Sequence, residues 1–287
     1  MANIVDQASE SYRLTIETKY NEILATKFGG NEILAELIVS SLISIGLYWI
    51  LGLIYFVVDY TKKPAFFYQF KIQRNNDQLK KDKVGKLLNQ IVFNQIFHVI
   101  LAYGLLLIKY KYFPIQRKVP TLTWFLFEFV MFNLIREVTF YYSHRALHHS
   151  SVYKYIHKRH HEWQSPIALA AVYSHPIEHV LSNIFPIILG PILMHSHNLS
   201  GYIWMAYSIW ETLIAHCGYH FPGSPISPVF HDYHHLKFTC NFGVYGLLDK
   251  LHGTDKLYRN SPFYKLPRIY FSLKPSTDMI YNSDKME

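Results

Sequence analysis

The sequence predicts an all-α integral membrane protein, a helical bundle that carries a histidine-rich cap. Residues 37–58 and 87–108 are two runs of 22 positions without a charged side chain. A hydrocarbon core about 30 Å thick requires roughly 20 apolar residues in a helix, so each run is long enough to cross a membrane. In addition, 16 of the 17 histidines fall between His144 and His252, many of them three or four residues apart.

The overall composition agrees with a membrane protein. Of the 287 residues, 50% are hydrophobic and 17% are charged, and the formal net charge is +8. The basic residues cluster beside the apolar runs, which favours contact with an anionic cytoplasmic leaflet over nucleic acid. Two cysteines, Cys217 and Cys240, are too few for a disulfide framework. The first 36 residues contain five glutamates and no basic start, so we expect no cleavable signal peptide and an uncleaved first span.

Three shorter apolar segments follow the two long runs. They are residues 121–135, 180–194 and 199–215. The middle segment contains two prolines, which kink or interrupt a helix. Short, interrupted apolar segments are tolerated in a membrane when neighbouring protein shields them. We therefore expect 180–194 and 199–215 to form a hairpin that turns at residues 195–201.

Basic residues in the loops indicate the orientation. The loop 59–86 holds eight lysines and arginines, whereas the first 31 residues hold three. Basic loops stay in the cytosol, so successive crossings place the histidine-rich segments on the cytosolic side. The loop 109–120, with four basic residues, opposes this assignment because the same crossings put it in the lumen.

The histidines fall into four clusters, with the sequences HRALHH, HKRHH, HCGYH and HDYHH. Residues three or four apart share one face of a helix, so each cluster can direct two or three imidazoles to one point. Neutral imidazole binds iron, zinc, copper or nickel, and ten or more candidates suffice for two ions. The candidate metal ligands are His144, His148, His149, His157, His160, His161, His216, His220, His231, His234 and His235.

Other polar residues near these clusters have several possible roles. His175, Glu178 and His179 lie in SHPIEH, where metal binding, support of a ligand and loop structure all remain open, with support of a ligand favoured. Acidic neighbours such as Asp232, Glu162 and Glu211 can accept an imidazole N–H and so orient a ligand. The histidines without a partner at metal spacing, or in a turn, are assigned structural roles. These are His98, His195, His197 and His252.

Several other chemistries lack their motifs. His161 and Glu162 do not continue to a second histidine of an HExxH helix, and no GxSxG, P-loop or GxGxxG motif occurs. Redox-inert zinc does not support oxidation of an unactivated C–H bond, so such a reaction would require a redox-active metal. A membrane metal transporter is disfavoured because the clusters are expected on one side of the membrane. A catalytically silent scaffold is the other alternative.

The boxes HRALHH, HKRHH and HDYHH, in this order, resemble the fatty acid hydroxylase superfamily. This superfamily includes C4-methylsterol oxidases, sterol C5-desaturases and fatty acid 2-hydroxylases. The resemblance covers about residues 120–260. It implies two iron ions, molecular oxygen, an endoplasmic reticulum membrane and a metal centre that faces the cytosol. It also implies electrons from NAD(P)H, delivered through cytochrome b5 and its reductase as separate proteins.

The resemblance suggests three regions and a substrate class. Residues 1–120 would hold the two long spans and the basic loop, residues 121–260 the catalytic domain, and residues 261–287 a tail. C4-methylsterol oxidation is the favoured activity, with fatty acyl or sphingolipid hydroxylation as the alternative. Methylsterol oxidases tend to carry an acidic residue where this chain has His220, and fatty acid hydroxylases tend to carry histidine. This position therefore weakens the sterol assignment.

Overall fold

The computed structural model describes residues 2–74, 79, 81–113, 118–278 and 280. Within these ranges the chain forms helices and turns and no strand, and its only extended pairing is an isolated bridge between Lys71 and Tyr219. The prediction of an all-α fold is confirmed. Parts of both basic loops, including Lys80 and Arg117, lie outside the described residues.

Long helices form the bundle, and short helices and turns form the cap. The α-helices are α1 (Ala2–Phe28), α2 (Glu32–Ser41), α3 (Tyr48–Thr61), α4 (Ala65–Tyr68), α5 (Lys81–Tyr112), α6 (Leu122–Leu147), α7 (Ser150–Tyr153), α8 (Pro176–Glu178), α9 (Phe185–Leu193), α10 (Asn198–Cys217), α11 (Val229–Lys237), α12 (Leu247–His252) and α13 (Lys256–Arg259). The π-helical turns are Leu42–Leu47 and His179–Ile184, and the 3-10 turns are His157–Glu162, Ala168–Val172 and Pro262–Lys265.

Among the described residues, three continuous helical stretches are long and apolar enough to cross a membrane. They are Glu32–Thr61, Asp82–Tyr112 and Pro176–Leu193, with mean hydropathy of 2.2, 2.1 and 1.4. The first two contain the predicted spans, which confirms a membrane protein by length and composition. The predicted segment 121–135 lies in α6, which is not among the three, because charged side chains such as Glu128 lower its hydropathy.

The predicted hairpin is present. The helix α9 ends at Leu193 and α10 begins at Asn198, with His195 in the turn at a φ of +48°. The first helix of this hairpin packs closely on α6. A Cβ atom at Gly190 would lie 2.9 Å from the Phe132 ring and 3.1 Å from the Phe132 Cα atom. Only glycine permits this approach of α9 to α6.

A buried polar network joins α3 to the cap. The Nζ atom of Lys71 lies 2.7 Å from Oδ1 of Asp59, 3.1 Å from the Pro166 carbonyl oxygen and 3.3 Å from that of Cys217. The Tyr219 hydroxyl also donates to Asp59, at 2.7 Å. A buried lysine is tolerated only when it is paired and hydrogen-bonded in this way. The network holds the start of the basic loop against the end of α10.

The opposite end of the bundle has its own ion pair. Lys109, near the end of α5, lies 2.7 Å from Glu36 at the start of the first span and 2.8 Å from Asn198 at the start of α10. The first residues of α10 and the last of α5 therefore lie together, far from the cap. Because α10 then runs back to the cap, the cap and the loop 59–86 share one end of the bundle.

The hydrophobic core lies directly beneath the cap. Tyr48, Ile91, Leu169 and Leu213 are buried there, and the Tyr48 hydroxyl donates to the Leu169 carbonyl oxygen at 2.6 Å. A Cβ atom at Gly52 would lie only 2.5 Å from a methyl carbon of Leu169. This close packing fixes the segment 163–173, which follows the second histidine cluster, on the ends of α3 and α10.

Candidate metal centre

Nine imidazoles from four segments meet at the cap end of the bundle, eight of them buried and one half-buried. They are His144 and His148 from the end of α6, His157, His160 and His161 from the turn His157–Glu162, His216 from the end of α10, and His231, His234 and His235 from α11. The side chains separate into two groups of metal-binding size. In each group all the ligand nitrogens lie within 4.8 Å of one another.

Group 1 consists of His144, His148, His157, His161 and His234. The Nε2 atom of His161 lies 3.0 Å from that of His157, 3.3 Å from that of His148 and 3.2 Å from that of His234. The Nε2 atom of His144 lies 3.1 Å from that of His157. The five side chains thus direct the same ring nitrogen toward one point.

Group 2 consists of His160, His216, His231 and His235. The Nε2 atom of His216 lies 3.3 Å from that of His160 and 2.9 Å from that of His231, and the Nε2 atoms of His231 and His235 are 3.1 Å apart. The ring centroids of His235 and of His161 in group 1 are 4.7 Å apart. The two groups are therefore direct neighbours.

The outer nitrogens of five imidazoles donate to backbone carbonyl oxygens. These Nδ1 hydrogen bonds run from His144 to Phe242 (2.8 Å), from His160 to Tyr173 (3.3 Å), from His216 to Thr212 (2.8 Å), from His234 to Cys240 (2.7 Å) and from His235 to Trp163 (3.0 Å). A carbonyl oxygen can only accept, so in each of these side chains Nδ1 carries the proton. The hydrogen bond fixes both the tautomer and the ring orientation.

These imidazoles are neutral, so their inner nitrogens are bare. Burial, reinforced by neighbouring imidazoles, lowers the pKa of His160, His234 and His235 well below the usual value. The same causes lower the pKa of His148 to about 2. A neutral imidazole with its proton on Nδ1 presents a lone pair on Nε2.

His160 and His216 both carry the proton on Nδ1, so their bare Nε2 atoms cannot hydrogen-bond to each other, yet these atoms lie 3.3 Å apart. A cation that accepts these lone pairs would stabilise the arrangement. All nine donors are imidazole nitrogens, which suit iron, zinc, copper or nickel and not calcium or magnesium. Each group fits one transition-metal ion, with five donors in group 1 and four in group 2.

Two of the predicted ligands lie outside both groups. His149 is exposed, and its Nδ1 atom accepts from the Ser151 backbone N–H at the start of α7. His220 is buried, but its Nδ1 atom is 2.8 Å from the Ser276 hydroxyl and its Nε2 atom 3.3 Å from the Arg268 carbonyl oxygen. His220 thus contacts the C-terminal segment and not the other imidazoles.

The residues expected to support the ligands also differ in position. Oε1 of Glu178 lies 2.9 Å from Nδ1 of His157, outside the angular range of a regular hydrogen bond. The Oδ1 atom of Asp232 accepts from Gln73 at 2.9 Å, and its Oδ2 atom has no hydrogen-bond partner among the described residues. Burial raises the pKa of Asp232 to about 7. His175 caps α8 by accepting from the Ile177 backbone N–H. The remaining candidate, His179, is buried and lines the cavity described below.

The other acidic candidates form ion pairs elsewhere. Glu162 pairs with Lys86 at 2.8 Å on the cap surface. Glu211 pairs with Arg136 between α10 and α6. Neither carboxylate is a hydrogen-bond partner of a ligand imidazole. Most of the support therefore comes from backbone carbonyl oxygens, which the residue types alone do not reveal.

The four histidines assigned structural roles lie apart from both groups. His197 caps α10, His195 lies in the hairpin turn, and His252 is 3.0 Å from the Tyr142 hydroxyl. His98, on α5, lines the cavity, and its ring centroid is 6.0 Å from that of His179.

Two carboxylates that the sequence did not single out hold the loop 240–249. Oδ1 and Oδ2 of Asp249 accept from the backbone N–H groups of Phe242 (2.8 Å) and Gly243 (2.7 Å). The Glu137 carboxylate accepts from the N–H groups of Val244 (2.9 Å) and Tyr245 (2.8 Å). This loop carries the carbonyl oxygens that orient His144 and His234. A buried glutamate two turns before His144 on α6 is the only sequence signal for this role.

A cavity extends from the two groups into the bundle. At the cap end it is lined by ligand imidazoles of both groups, including His144, His157 and His216. Toward the bundle its walls come from α6, α9, α10 and the first span, with largely apolar residues such as Ile45, Ile187, Ile188, Met205 and Ile209. An apolar cavity of this kind suits the hydrocarbon part of a lipid.

A buried imidazole cluster that could hold metal ions lies at one end of a membrane-type bundle and is open to a largely apolar cavity. Residues 129–254 match the family model described as fatty acid hydroxylase. The chain is 40% identical over 270 residues to the human (Homo sapiens) fatty acid hydroxylase domain-containing protein 2, covering 92% of this chain and 80% of the relative.

Two plant proteins whose names give different activities are also similar. Over 214 residues, the chain is 34% identical to the very-long-chain aldehyde decarbonylase GL1-11 of Oryza sativa subsp. indica, covering 69% of this chain and 78% of the relative. Over 216 residues, it is 32% identical to the methylsterol monooxygenase 2-2 of Arabidopsis thaliana, covering 70% and 79%. No solved structure matches. The chain belongs to the fatty acid hydroxylase family, as its histidine boxes predicted.

Proposed function

We propose that this protein is a membrane-bound, non-haem di-iron oxygenase that hydroxylates a lipid. The observation that carries this proposal is the pair of imidazole groups, whose ring nitrogens converge beside a largely apolar cavity. The residues that would hold the metal are the nine histidines of groups 1 and 2. His149 and His220 are left out of the proposed ligand set because neither reaches a group.

Two iron ions held in these groups would supply the activation of O₂ that oxidation of an unactivated C–H bond requires. In a monooxygenation, one oxygen atom enters the lipid and the other leaves as water, with two electrons and two protons consumed. We propose that the electrons come from NAD(P)H through cytochrome b5 and its reductase. No dinucleotide-binding motif of the chain offers another source.

The chain's own residues would position the substrate and keep water away from it. The cavity walls supplied by α9 and α10 would hold the hydrocarbon part of the lipid, with Ile187, Ile188 and Ile209 in contact with it. The buried core beneath the cap, including Leu169 and Leu213, separates the metal groups from solvent on that side. The carbonyl oxygens of Phe242 and Cys240 would keep His144 and His234 in the tautomer that presents Nε2 to a metal.

As the substrate we propose a C4-methylsterol, with a fatty acyl or sphingolipid substrate as the alternative. The likeness to a methylsterol monooxygenase supports the sterol. His220, where methylsterol oxidases tend to carry an acidic residue and fatty acid hydroxylases a histidine, supports the acyl alternative. We further propose an endoplasmic reticulum location with the cap in the cytosol, because the basic loop 59–86 shares its end of the bundle.

Complementation of a knockout line tests the proposal. C4-methylsterols and hydroxylated acyl lipids would be quantified together in cells that express the wild-type protein, His234→Ala or His252→Ala. We expect accumulated 4-methylsterols to fall with the wild type and with His252→Ala, and to persist with His234→Ala. Restoration of hydroxylated acyl lipids instead would move the assignment to the acyl branch. Rescue by His234→Ala equal to the wild type would replace the oxygenase with a non-catalytic scaffold.

A further inference from the structure

A polar notch interrupts the apolar wall of the cavity beside group 1. It is formed by Gln95 and His98 of α5 and by His179 and Asn183 of the π-helical turn. Other residues that line the cavity, such as Val172, Ile184 and Ile187, are apolar, and Glu178 and Ser182 are polar lining residues next to the notch in the chain. A few polar groups on an apolar wall are the usual means by which a binding site fixes the orientation of a ligand.

The imidazole of His179 has an unused hydrogen-bonding atom in this notch. The residue is 6% exposed, and its Nε2 atom is buried with no hydrogen-bond partner in the described part of the chain. The other ring nitrogen, Nδ1, is occupied, because it lies 3.2 Å from the amide nitrogen of Asn183. A buried polar atom without a partner destabilises the folded protein. A ligand group that satisfies Nε2 would therefore be bound more tightly than a purely apolar one.

The chemistry of imidazole selects the kind of group. Nε2 donates in one neutral tautomer and accepts in the other, and the orientation of the Asn183 amide decides between them. A hydroxyl group both donates and accepts, so it pairs with either tautomer. A carboxylate can only accept, and bringing its charge into an apolar cavity is costly. An uncharged hydroxyl is thus the best partner for His179.

The notch lies close to the proposed metal ligands. His179 follows Glu178 directly in the chain, and the Glu178 carboxylate is 2.9 Å from Nδ1 of His157 in group 1. His179 and the group 1 ligands His144 and His157 line the same cavity. A hydroxyl bound in the notch therefore shares the cavity with the proposed site of oxidation. In a 3-hydroxysterol, the carbon that bears the hydroxyl adjoins carbon 4.

We propose that His179 is a specificity-determining residue that binds the hydroxyl group of a lipid alcohol and so orients the neighbouring carbon toward group 1. This inference deepens the proposed function, on which its choice of a 3-hydroxysterol rests. His179 belongs to neither imidazole group. Its replacement should therefore change which lipids bind without changing the metal content.

The experiment measures lipid binding by the full-length, metal-loaded protein in nanodiscs. The probes are a 4-methylsterol, its 3-ketone and its 3-deoxy counterpart, together with a long-chain alcohol and the matching alkane. The proteins are the wild type, His179→Phe, which removes the polar atom, and His179→Gln, which keeps a donor and an acceptor. His252→Phe is the matched control, because it removes an exposed imidazole outside the cavity. Metal content is measured for each variant.

We expect the wild type, His179→Gln and His252→Phe to prefer the sterol over its 3-deoxy counterpart by about tenfold, the value of one well-made hydrogen bond. With His179→Phe this preference should fall to near unity, with the metal content unchanged. The 3-ketone, which only accepts, should bind well only if Nε2 carries the proton. It thus reports the tautomer in the wild type.

Two outcomes would overturn the proposal. One is an undiminished preference for the hydroxyl in His179→Phe. The other is a wild type that prefers neither the sterol nor the long-chain alcohol over its hydrocarbon, as expected if the notch holds only a buried water. Failure of the sterol assignment would give a different result. The wild type would bind no sterol but would still prefer the long-chain alcohol over the alkane, and His179→Phe would lose that preference.

Discussion

The Nδ1 atom of His144 donates a hydrogen bond of 2.8 Å to the carbonyl oxygen of Phe242, 98 residues further along the chain. This contact ties the end of α6 to the loop that follows α11. The loop is held in turn by Glu137 and Asp249, which together accept from backbone N–H groups at 242–245. The orientation of one proposed ligand therefore depends on two carboxylates that would not touch the metal.

Asp249 holds the loop whose Phe242 carbonyl oxygen orients His144, so we expect Asp249→Asn to bind metal less tightly. The amide would present an N–H group to a backbone N–H, so one of the bonds to Phe242 or Gly243 would be lost and the loop would shift. Changes in residues that orient a ligand typically reduce metal affinity 10-fold to 100-fold, and we expect about tenfold. Competition with a chelator measures the affinity. The control is Asp278→Asn, whose carboxylate pairs with Arg74 at 3.1 Å; equal affinities of the two variants would contradict the prediction.

The adjacent histidines His148 and His149 should differ sharply. The Nε2 atom of His148 lies 3.2 Å from that of His234, whereas His149 is exposed. His148→Ala removes one donor from group 1, so we expect at least a tenfold loss of metal affinity. His149→Ala removes only a hydrogen bond at the start of α7 and should bind metal like the wild type. Similar losses in both variants, measured by chelator competition, would mean that group 1 is assigned incorrectly.

His220 should contribute to folding and not to metal binding. Its ring contacts Ser276 and Arg268, and its carbonyl oxygen accepts from the Tyr270 hydroxyl at 2.6 Å. His220→Ala leaves the Ser276 hydroxyl without this partner, which we expect to lower the free energy of unfolding by about 1–3 kcal/mol. The thermal midpoint should fall while the metal count stays at that of the wild type. Loss of an ion from folded His220→Ala protein would restore this histidine to the ligand set.

The orientation of the bundle predicts which positions are labelled from which side. Ser151 in the cap and Lys63 in the basic loop are exposed and lie at one end, and Lys118 is exposed at the other. Single cysteines at these positions, in a background that lacks Cys217 and Cys240, would be treated with an impermeant thiol reagent in sealed microsomes. We expect the first two to react from the cytosolic side and Lys118→Cys only after permeabilisation. Labelling of Ser151→Cys and Lys63→Cys from opposite sides would refute the topology.

The sequence alone predicted the long apolar helices and the four histidine clusters, because hydropathy and residue spacing can be read directly from neighbouring positions in the chain. It was insufficient where a helix ends inside a cluster. His148 remains in helical geometry at the end of α6, but His149 is extended, with ψ of 136°. In HCGYH, Gly218 takes a φ of +72° and ends α10, so His220 does not share a face with His216. The rule that residues four apart share a face holds only within one helix.

The partners of the imidazoles were also beyond prediction from spacing. Acidic side chains near the clusters were candidates for orienting the ligands, yet Asp232 accepts from Gln73 and Glu211 pairs with Arg136. The groups that do so are mainly backbone carbonyl oxygens, such as those of Tyr173 and Trp163. Every residue has a carbonyl oxygen, so only the tertiary fold shows which ones face a histidine.

The most direct test of the two-ion centre is a count of transition-metal ions per folded chain, by elemental analysis after mild detergent extraction. The wild type should hold close to two ions. His161→Ala removes a proposed metal ligand whose Nε2 atom lies within 3.3 Å of three other imidazoles of group 1. His216→Ala removes a proposed ligand of group 2 whose Nε2 atom lies within 3.3 Å of two others. Each variant should hold close to one ion. A wild-type count of one or zero in folded protein would contradict the assignment of a separate ion to each group.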